Sequence, residues 1–189
     1  MLMMVIQTME HGGGPDREEL EQLLHGVAAG DQEALAALYR CARTAVYGLA
    51  LSILKNTHDA QDVTQDAFVR IWDSAPQYRS QGSPMAWMLT ITRNLALTKL
   101  RRDARHVELD EAEWDAIPAE VSDVTPEDRE LLQNALGTLS SEERQIVLLH
   151  AVSGLKHREI GGVLELPLPT VLSKYHRALK KLRNCLERR

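Results

Sequence analysis

A chain of 189 residues with 44% hydrophobic, 26% charged and 4% aromatic residues can form one or two globular domains, which excludes collagen-like, mucin-like and wholly disordered classes. Its net charge of −5 and sequence pI near 5.8, taken over the whole chain, argue against nucleic-acid binding. Local charge says otherwise: Met1 to Gly30 has one basic residue against five acidic ones, a net −4, and Asp31 to Arg102 has nine against six, a net +3. Asp103 to Thr125 has one against eight, a net −7, and Pro126 to Arg189 has eleven against eight, a net +3. Two basic blocks are masked by two acidic connectors.

Gly12-Gly13-Gly14-Pro15 interrupts any helix and lacks the Lys-Ser/Thr of a phosphate loop, so residues 1–18 read as a flexible leader. The apolar stretch Met1 to Ile6 is followed by no h-region, and no window approaches the ~18 apolar residues of a membrane span. Neither a signal peptide nor membrane insertion is expected, and the expected location is the cytoplasm. Cys41 and Cys185 are the only cysteines and lack the spacing of a zinc site; reduced thiols, no metal and no cofactor are expected.

Residues 19–102 repeat apolar side chains at helical spacing: Leu20, Leu23, Leu24 and Val27, then Leu35, Leu38, Ala42, Val46, Leu49, Ile53 and Leu54. They are predicted to form an all-α bundle. Asp31 is the expected N-cap of one helix, Asn56 to His58 a turn, Asp59 to Asp73 a further helix, and Ser83-Pro84 the capped start of the last. Within Asp59 to Asp73, Val63, Ala67, Phe68 and Ile71 share an inward face. Asp62, Gln65, Asp66, Val69 and Asp73 form an outward acidic stripe with Arg70 beside it. An acidic stripe cannot be a DNA contact, and on composition alone it is a solvated face. Tyr78 to Trp87 is a loop entering the helix that runs to Arg102. Here Trp72, Tyr78 and Trp87 cluster beside Arg79, Arg93, Asn94, Lys99, Arg101 and Arg102. Aromatic rings next to a basic groove suit single-stranded or opening DNA, although core packing is the commoner fate of each ring taken alone.

Residues 103–125, with Pro118 and scattered apolar positions, read as a flexible acidic linker. Residues 126–189 are a second helical block, opened by Thr125-Pro126 and containing a capping box at Ser140 and Glu143. His157 to Leu179 has the layout of a helix-turn-helix. Ile160, Val163 and Leu164 line the first helix, Leu166-Pro167-Leu168 makes the turn, and Val171, Tyr175, Ala178, Leu179 and Leu182 are the buried stripe of the second. Thr170, Ser173, Lys174, His176, Arg177, Lys180, Lys181 and Arg183 remain on the other side, with no acid before Glu187. Such a helix suits the major groove, its first residues at base edges and its later cations at phosphates. A basic solvated helix is the bland alternative. Glu165 occupies a turn-entry position where glycine is common, and Gly161-Gly162 cost the first helix roughly 1 kcal/mol each. His150 and His157 are separated by a helix break at Gly154, so a metal pair is not expected.

These parts, in this order, resemble the extracytoplasmic-function (ECF) bacterial sigma factors. The resemblance spans about Asp31 to Glu187 and rests on three strings. They are Asp59-Ala-Gln-Asp-Val-Thr-Gln-Asp-Ala-Phe, Ala86-Trp-Met-Leu-Thr-Ile-Thr-Arg-Asn-Leu-Ala, and Glu159-Ile through Pro167-Leu to Thr170-Val and Arg177-Ala-Leu. It implies an all-α protein of two small domains, sigma region 2 over 19–102 and sigma region 4 over 126–189, and a transcription factor rather than an enzyme. The implied partners are core RNA polymerase, through its beta-prime clamp and beta flap, promoter DNA, and an anti-sigma factor. Asp59, Asp62, Gln65, Asp66 and Arg70 would contact polymerase. Tyr78, Arg79, Ser80, Gln81, Trp87, Arg93, Asn94, Lys99, Arg101 and Arg102 would bind the −10 element. Thr170, Ser173, Lys174, His176, Arg177, Lys180 and Lys181 would bind the −35 element.

Thr98, Pro169 and Leu172 depart from residues frequent in the family, with promoter preference as the expected consequence. If the two elements lie roughly 16 base pairs apart, the DNA-binding blocks must stand about 55 Å apart, so the linker must be held stretched. An operator-binding helix-turn-helix dimer is the alternative. An enzyme is disfavoured by the lack of a persuasive catalytic set or phosphate loop.

Overall fold

The computed structural model describes residues 14–80, 82–103 and 134–187; Gln81, the acidic linker and the Thr125-Pro126 cap lie outside the described residues. Side-chain caps set the helix starts. Asp16 Oδ1 accepts the Glu18 N–H at 3.3 Å and opens α1 (Arg17–Ala28), which begins inside the stretch predicted as leader. Asp31 Oδ1 accepts from Glu33 N at 2.8 Å and Ala34 N at 3.2 Å to open α2 (Gln32–Leu54). Asn56 Oδ1 accepts from Asp59 N at 3.0 Å, so the predicted turn is the cap and first turn of α3 (Thr57–Ser74). A 3₁₀ turn over Ala75–Gln77, containing Pro76, leads into the loop before α4 (Pro84–Asp103). There Ser83 Oγ accepts from Ala86 N at 3.3 Å.

Helix α2 packs on α1, α3 and α4. Leu20, Leu24, Leu38, Leu49, Ile71, Met88 and Leu89 fill the space between them, and Val63, Ala67, Phe68 and Ile71 form the buried face of α3. The opposite face of α3 presents the acidic stripe to solvent.

The second block contains α5 (Ser141–Ala151), α6 (His157–Leu164) and α7 (Leu168–Glu187). The capping box starts α5: the Ser140 N–H donates to Glu143 Oε2 at 2.9 Å, and the Glu143 N–H donates to Ser140 Oγ at 3.3 Å. Buried Arg144 donates to the carbonyls of Leu136 at 3.1 Å and Leu139 at 3.3 Å, tying down the preceding turn. Lys181 of α7 reaches Glu143 at 2.6 Å. Burial alone would raise the Glu143 carboxyl, but the Lys181 ammonium and the Ser140 N–H outweigh it and hold the carboxyl below its ordinary range.

Glu165 ends α6 in the left-handed region at φ 58°, which is the turn-entry role expected of this position. The two glycines of α6 differ in kind. A Cβ at Gly161 would stand 2.8 Å from the Leu166 carbonyl oxygen, whereas at Gly162 it would meet nothing within 4 Å. Gly161 therefore lets the turn fold back onto α6. The break at Gly154 (φ 65°) brings the two histidines together instead of parting them. The His150 and His157 rings stack at 4.8 Å, and Tyr175 stands edge-on to both, at 5.1 and 4.5 Å. His150 Nδ1 donates to the Leu155 carbonyl at 2.9 Å, while His157 Nε2 is buried with no hydrogen-bond partner among the described residues. No cluster of three metal-ligating side chains occurs among the described residues.

The two blocks pack on each other: α5 on α2 and α6 on α4, with one apolar core running through both.

Gly161→Ala should lower the melting temperature by forcing the turn apart, while Gly162→Ala should raise stability by up to about 1 kcal/mol through helix propensity, both read by thermal denaturation. Burial, with His150 and His176 nearby, pushes the His157 imidazole below its ordinary 6.5. Its folded value lies below its unfolded one, so this stability is complete above about pH 6.5 and is lost as pH falls through the folded value. Melting temperatures measured between pH 8 and 5.5 should fall in wild type and fall less steeply in His157→Phe.

Candidate functional site

Three surfaces carry the residues singled out by the sequence. On α3, Asp62, Gln65, Asp66 and Arg70 are exposed and Asp59 is half-buried. Val69 lies among them with 63% of its surface exposed, an apolar side chain on an acidic ridge. Lys99 of α4 reaches across to Asp59 at 2.8 Å and Asp62 at 3.4 Å. The hydrogen bond to Asp59, aided by the charges of both carboxylates, raises its pKa. Lys99 is thus tied to the acidic stripe, and Arg101 and Arg102 are the exposed cations at the end of α4.

The second surface is the loop before α4 and the first half of that helix. Tyr78 is buried, not presented to solvent: its ring stands edge-on to Trp87 at 5.1 Å and lies 6.4 Å from His25. Burial and the charge of Glu21 raise its phenol above the ordinary value, with Arg17 opposing. Tyr78 therefore supports Trp87 from below. Arg79 and Ser80 are exposed, with Ser80 Oγ 3.4 Å from His25 Nε2. Arg17 donates to the Gly82 carbonyl at 2.8 Å, so α1 holds the loop.

Half-buried Trp87 lines a cleft of about 500 Å³ with Arg79, Ser83 and Thr90 on one wall and Glu159, Gly162 and Val163 of α6 on the other. Arg93 of α4 also bridges the two blocks. The guanidinium sits 3.3 Å from Glu165 and donates to the Leu164 carbonyl at 3.3 Å, leaving the side chain 17% exposed. Asn94 beside it is exposed. In this arrangement the second block covers the aromatic end of the first.

The third surface is α7. Ser173, His176, Arg177 and Lys180 are exposed and Thr170 is half-buried. Lys174 and Lys181 point sideways instead, to Glu142 and Glu143 at the start of α5, each at 2.6 Å. Leu168 and Leu172 are 41% and 37% exposed, so two leucines share the open side of a basic helix.

Residues 38–106 match Sigma-70 region 2 and residues 129–182 match Sigma-70, region 4. The ECF RNA polymerase sigma factor SigK of Mycobacterium tuberculosis (strain H37Rv) is 32% identical over 183 residues, which are 92% of this chain and 98% of the relative. The chain belongs to the ECF sigma factor family. SigK of Mycobacterium ulcerans is 31% identical over 93% of this chain and 98% of its own length. Among solved structures, CnrH in complex with the cytosolic domain of CnrY is 25% identical, with 91% of this chain and 98% of that chain covered and a TM-score of 0.61. The sigma factor RpoE of Bartonella quintana, in complex with the anti-sigma factor NepR, shares the fold at 22% identity, with coverage of 79% and 94% and a TM-score of 0.63. This ECF sigma factor is accordingly a DNA-binding transcription initiation factor and not an enzyme. Among its described residues no helix is long and apolar enough to cross a membrane.

Glu165→Arg places two guanidinium groups face to face at the contact between the blocks. Small-angle scattering should show a larger radius of gyration than wild type, with an unchanged circular dichroism spectrum. An unchanged radius would assign the closure to the apolar packing between the blocks, α5 on α2 and α6 on α4.

Proposed function

We propose that this sigma factor binds core RNA polymerase and directs initiation at promoters with −10 and −35 elements, using the three surfaces in turn. Asp59, Asp62, Gln65, Asp66 and Arg70 meet the beta-prime clamp, and exposed Val69 adds apolar area in the centre of that contact. Arg79, Ser80 and Gln81, with Trp87, Arg93 and Asn94, capture a non-template base of the −10 element outside the stack, while Arg101 and Arg102 approach phosphates. Tyr78 and Lys99 position these groups from behind. Thr170, Ser173, His176 and Arg177 read the −35 element, and Lys180 meets its backbone. Lys174 and Lys181 hold α7 on α5, and the second block also meets the beta flap.

The observation that carries this reading is a region 2–region 4 chain on which the acidic stripe of α3 is exposed and takes no part in lining the cleft, while Arg101 and Arg102 at the end of α4 and Ser173, Arg177 and Lys180 on α7 are exposed as well. Closure of α6 over the cleft adds a requirement. Elements roughly 16 base pairs apart need the blocks about 55 Å apart, so polymerase must bind the separated form. An anti-sigma factor would act by favouring the closed form, as part of an environmental or stress response in the cytoplasm. The solved complexes of CnrH with the cytosolic domain of CnrY and of RpoE with the anti-sigma factor NepR support control of this kind.

Run-off transcription with bacterial core polymerase and the gene's own upstream region tests the proposal. Wild type should give a defined start site. Asp66→Arg should abolish it by reversing charge on the polymerase face. Arg177→Ala should weaken it by roughly 5- to 150-fold, the range for one lost base contact of about 1–3 kcal/mol. No start site with wild type, or a yield unchanged from wild type in both variants, overturns the assignment.

A further inference from the structure

The first turns of α7 carry two aliphatic side chains that the fold leaves uncovered, Leu168 at 41% and Leu172 at 37% exposure. Four residues apart, they lie one above the other on the same flank, and exposed His176 continues the row. The buried stripe of α7 is Val171, Tyr175, Ala178 and Leu182. At about 100° per residue, Leu172 stands roughly a quarter-turn from that stripe, at the border of the outward face that carries Ser173, Arg177 and Lys180.

The surroundings say what covers this flank. Between Leu168 and Cys185 the helix holds no acid, so the leucines sit within a positive field suited to a polyanion. Leu172 is also the fifth residue of α7, in the part of a recognition helix that reaches base edges. A leucine can neither donate nor accept a hydrogen bond. The one apolar feature on a base edge in the major groove is the C5-methyl of thymine.

We propose that Leu172, flanked by Leu168, reads a thymine methyl group in the −35 element. Leu172 can do so only if α7 engages that element as described above. The contact adds a preference for the thymine methyl group itself, which the polar residues of α7 cannot sense, since uracil and thymine offer them the same hydrogen-bonding groups.

On the promoter that yields a start site, each −35 thymine is replaced singly by deoxyuridine, which removes the methyl and nothing else. With the wild-type holoenzyme, open-complex formation should fall about four-fold at one or two thymines, the scale of one buried methyl group. With Leu172→Ala holoenzyme, the starting level should be lower and those replacements should have no further effect. Leu172 is exposed, so the variant should melt as wild type does, and this is checked by circular dichroism. Uracil tolerated at every position, or an equal loss in Leu172→Ala, overturns the proposal. A Leu172→Ala variant with normal transcription but weakened inhibition by an anti-sigma factor would assign the flank to a protein partner and overturn it too. Failure of the −35 assignment itself would look different, because Arg177→Ala would then leave promoter use unchanged.

Discussion

Burial of α2 is the constraint on which the rest of the molecule depends. This helix touches α1, α3 and α4 of its own block and α5 of the other. Its second half is closed on more than one side by Ala42, Ala45, Val46, Leu49, Ala50 and Leu51, where small side chains let neighbours approach. With α2 at the centre, α3 has one orientation available. Its apolar face must turn to α2, so its acidic ridge must turn out. The same packing places the start of α4 and its aromatic loop at one end, where α1 pins the loop through Arg17 and Gly82.

In the second block, packing and electrostatics act on the same residues. Glu142 and Glu143 favour the start of α5, where the helix dipole and the capping box hold negative charge, and they draw Lys174 and Lys181 toward them. The buried Glu143 requires its partner, because an unpaired carboxylate there would be costly. The open side of α7 is correspondingly narrower than its run of basic residues. It consists of the open strip from Leu172 and Ser173 through His176 and Arg177 to Lys180.

Contact between the blocks joins these two halves of the problem. Arg93 belongs by position to the aromatic end of α4 proposed to capture a base, yet its guanidinium is held by Glu165 and the Leu164 carbonyl. Glu165 can be there because the turn of the helix-turn-helix places it in the left-handed region, with its side chain directed off the end of α6. A residue that serves the turn also serves as the latch. The surfaces proposed to read the promoter therefore share one closed body, consistent with a protein whose useful affinity for DNA depends on polymerase.

The helical character of the chain, the caps at Asp31 and Ser140 and the inward face of α3 were legible in sequence. Each depends on neighbours within about one turn, or on a period of 3.6 residues. The family was legible too, because its motifs are contiguous strings. The fates of Tyr78, Lys99, Arg93 and Lys181 were not. Each is decided by a partner far along the chain: Tyr78 by His25, Lys99 by Asp59, Arg93 by Glu165 and Lys181 by Glu143. The histidine pair at the Gly154 break and the closeness of Leu166 to Gly161 likewise depend on how the chain turns back on itself. Sequence by itself determined which residues were polar, basic or aromatic and which helix face carried them. Only the tertiary structure decided which of those charges are paired and which rings are buried, because pairing and burial depend on distances between elements that local periodicity does not encode.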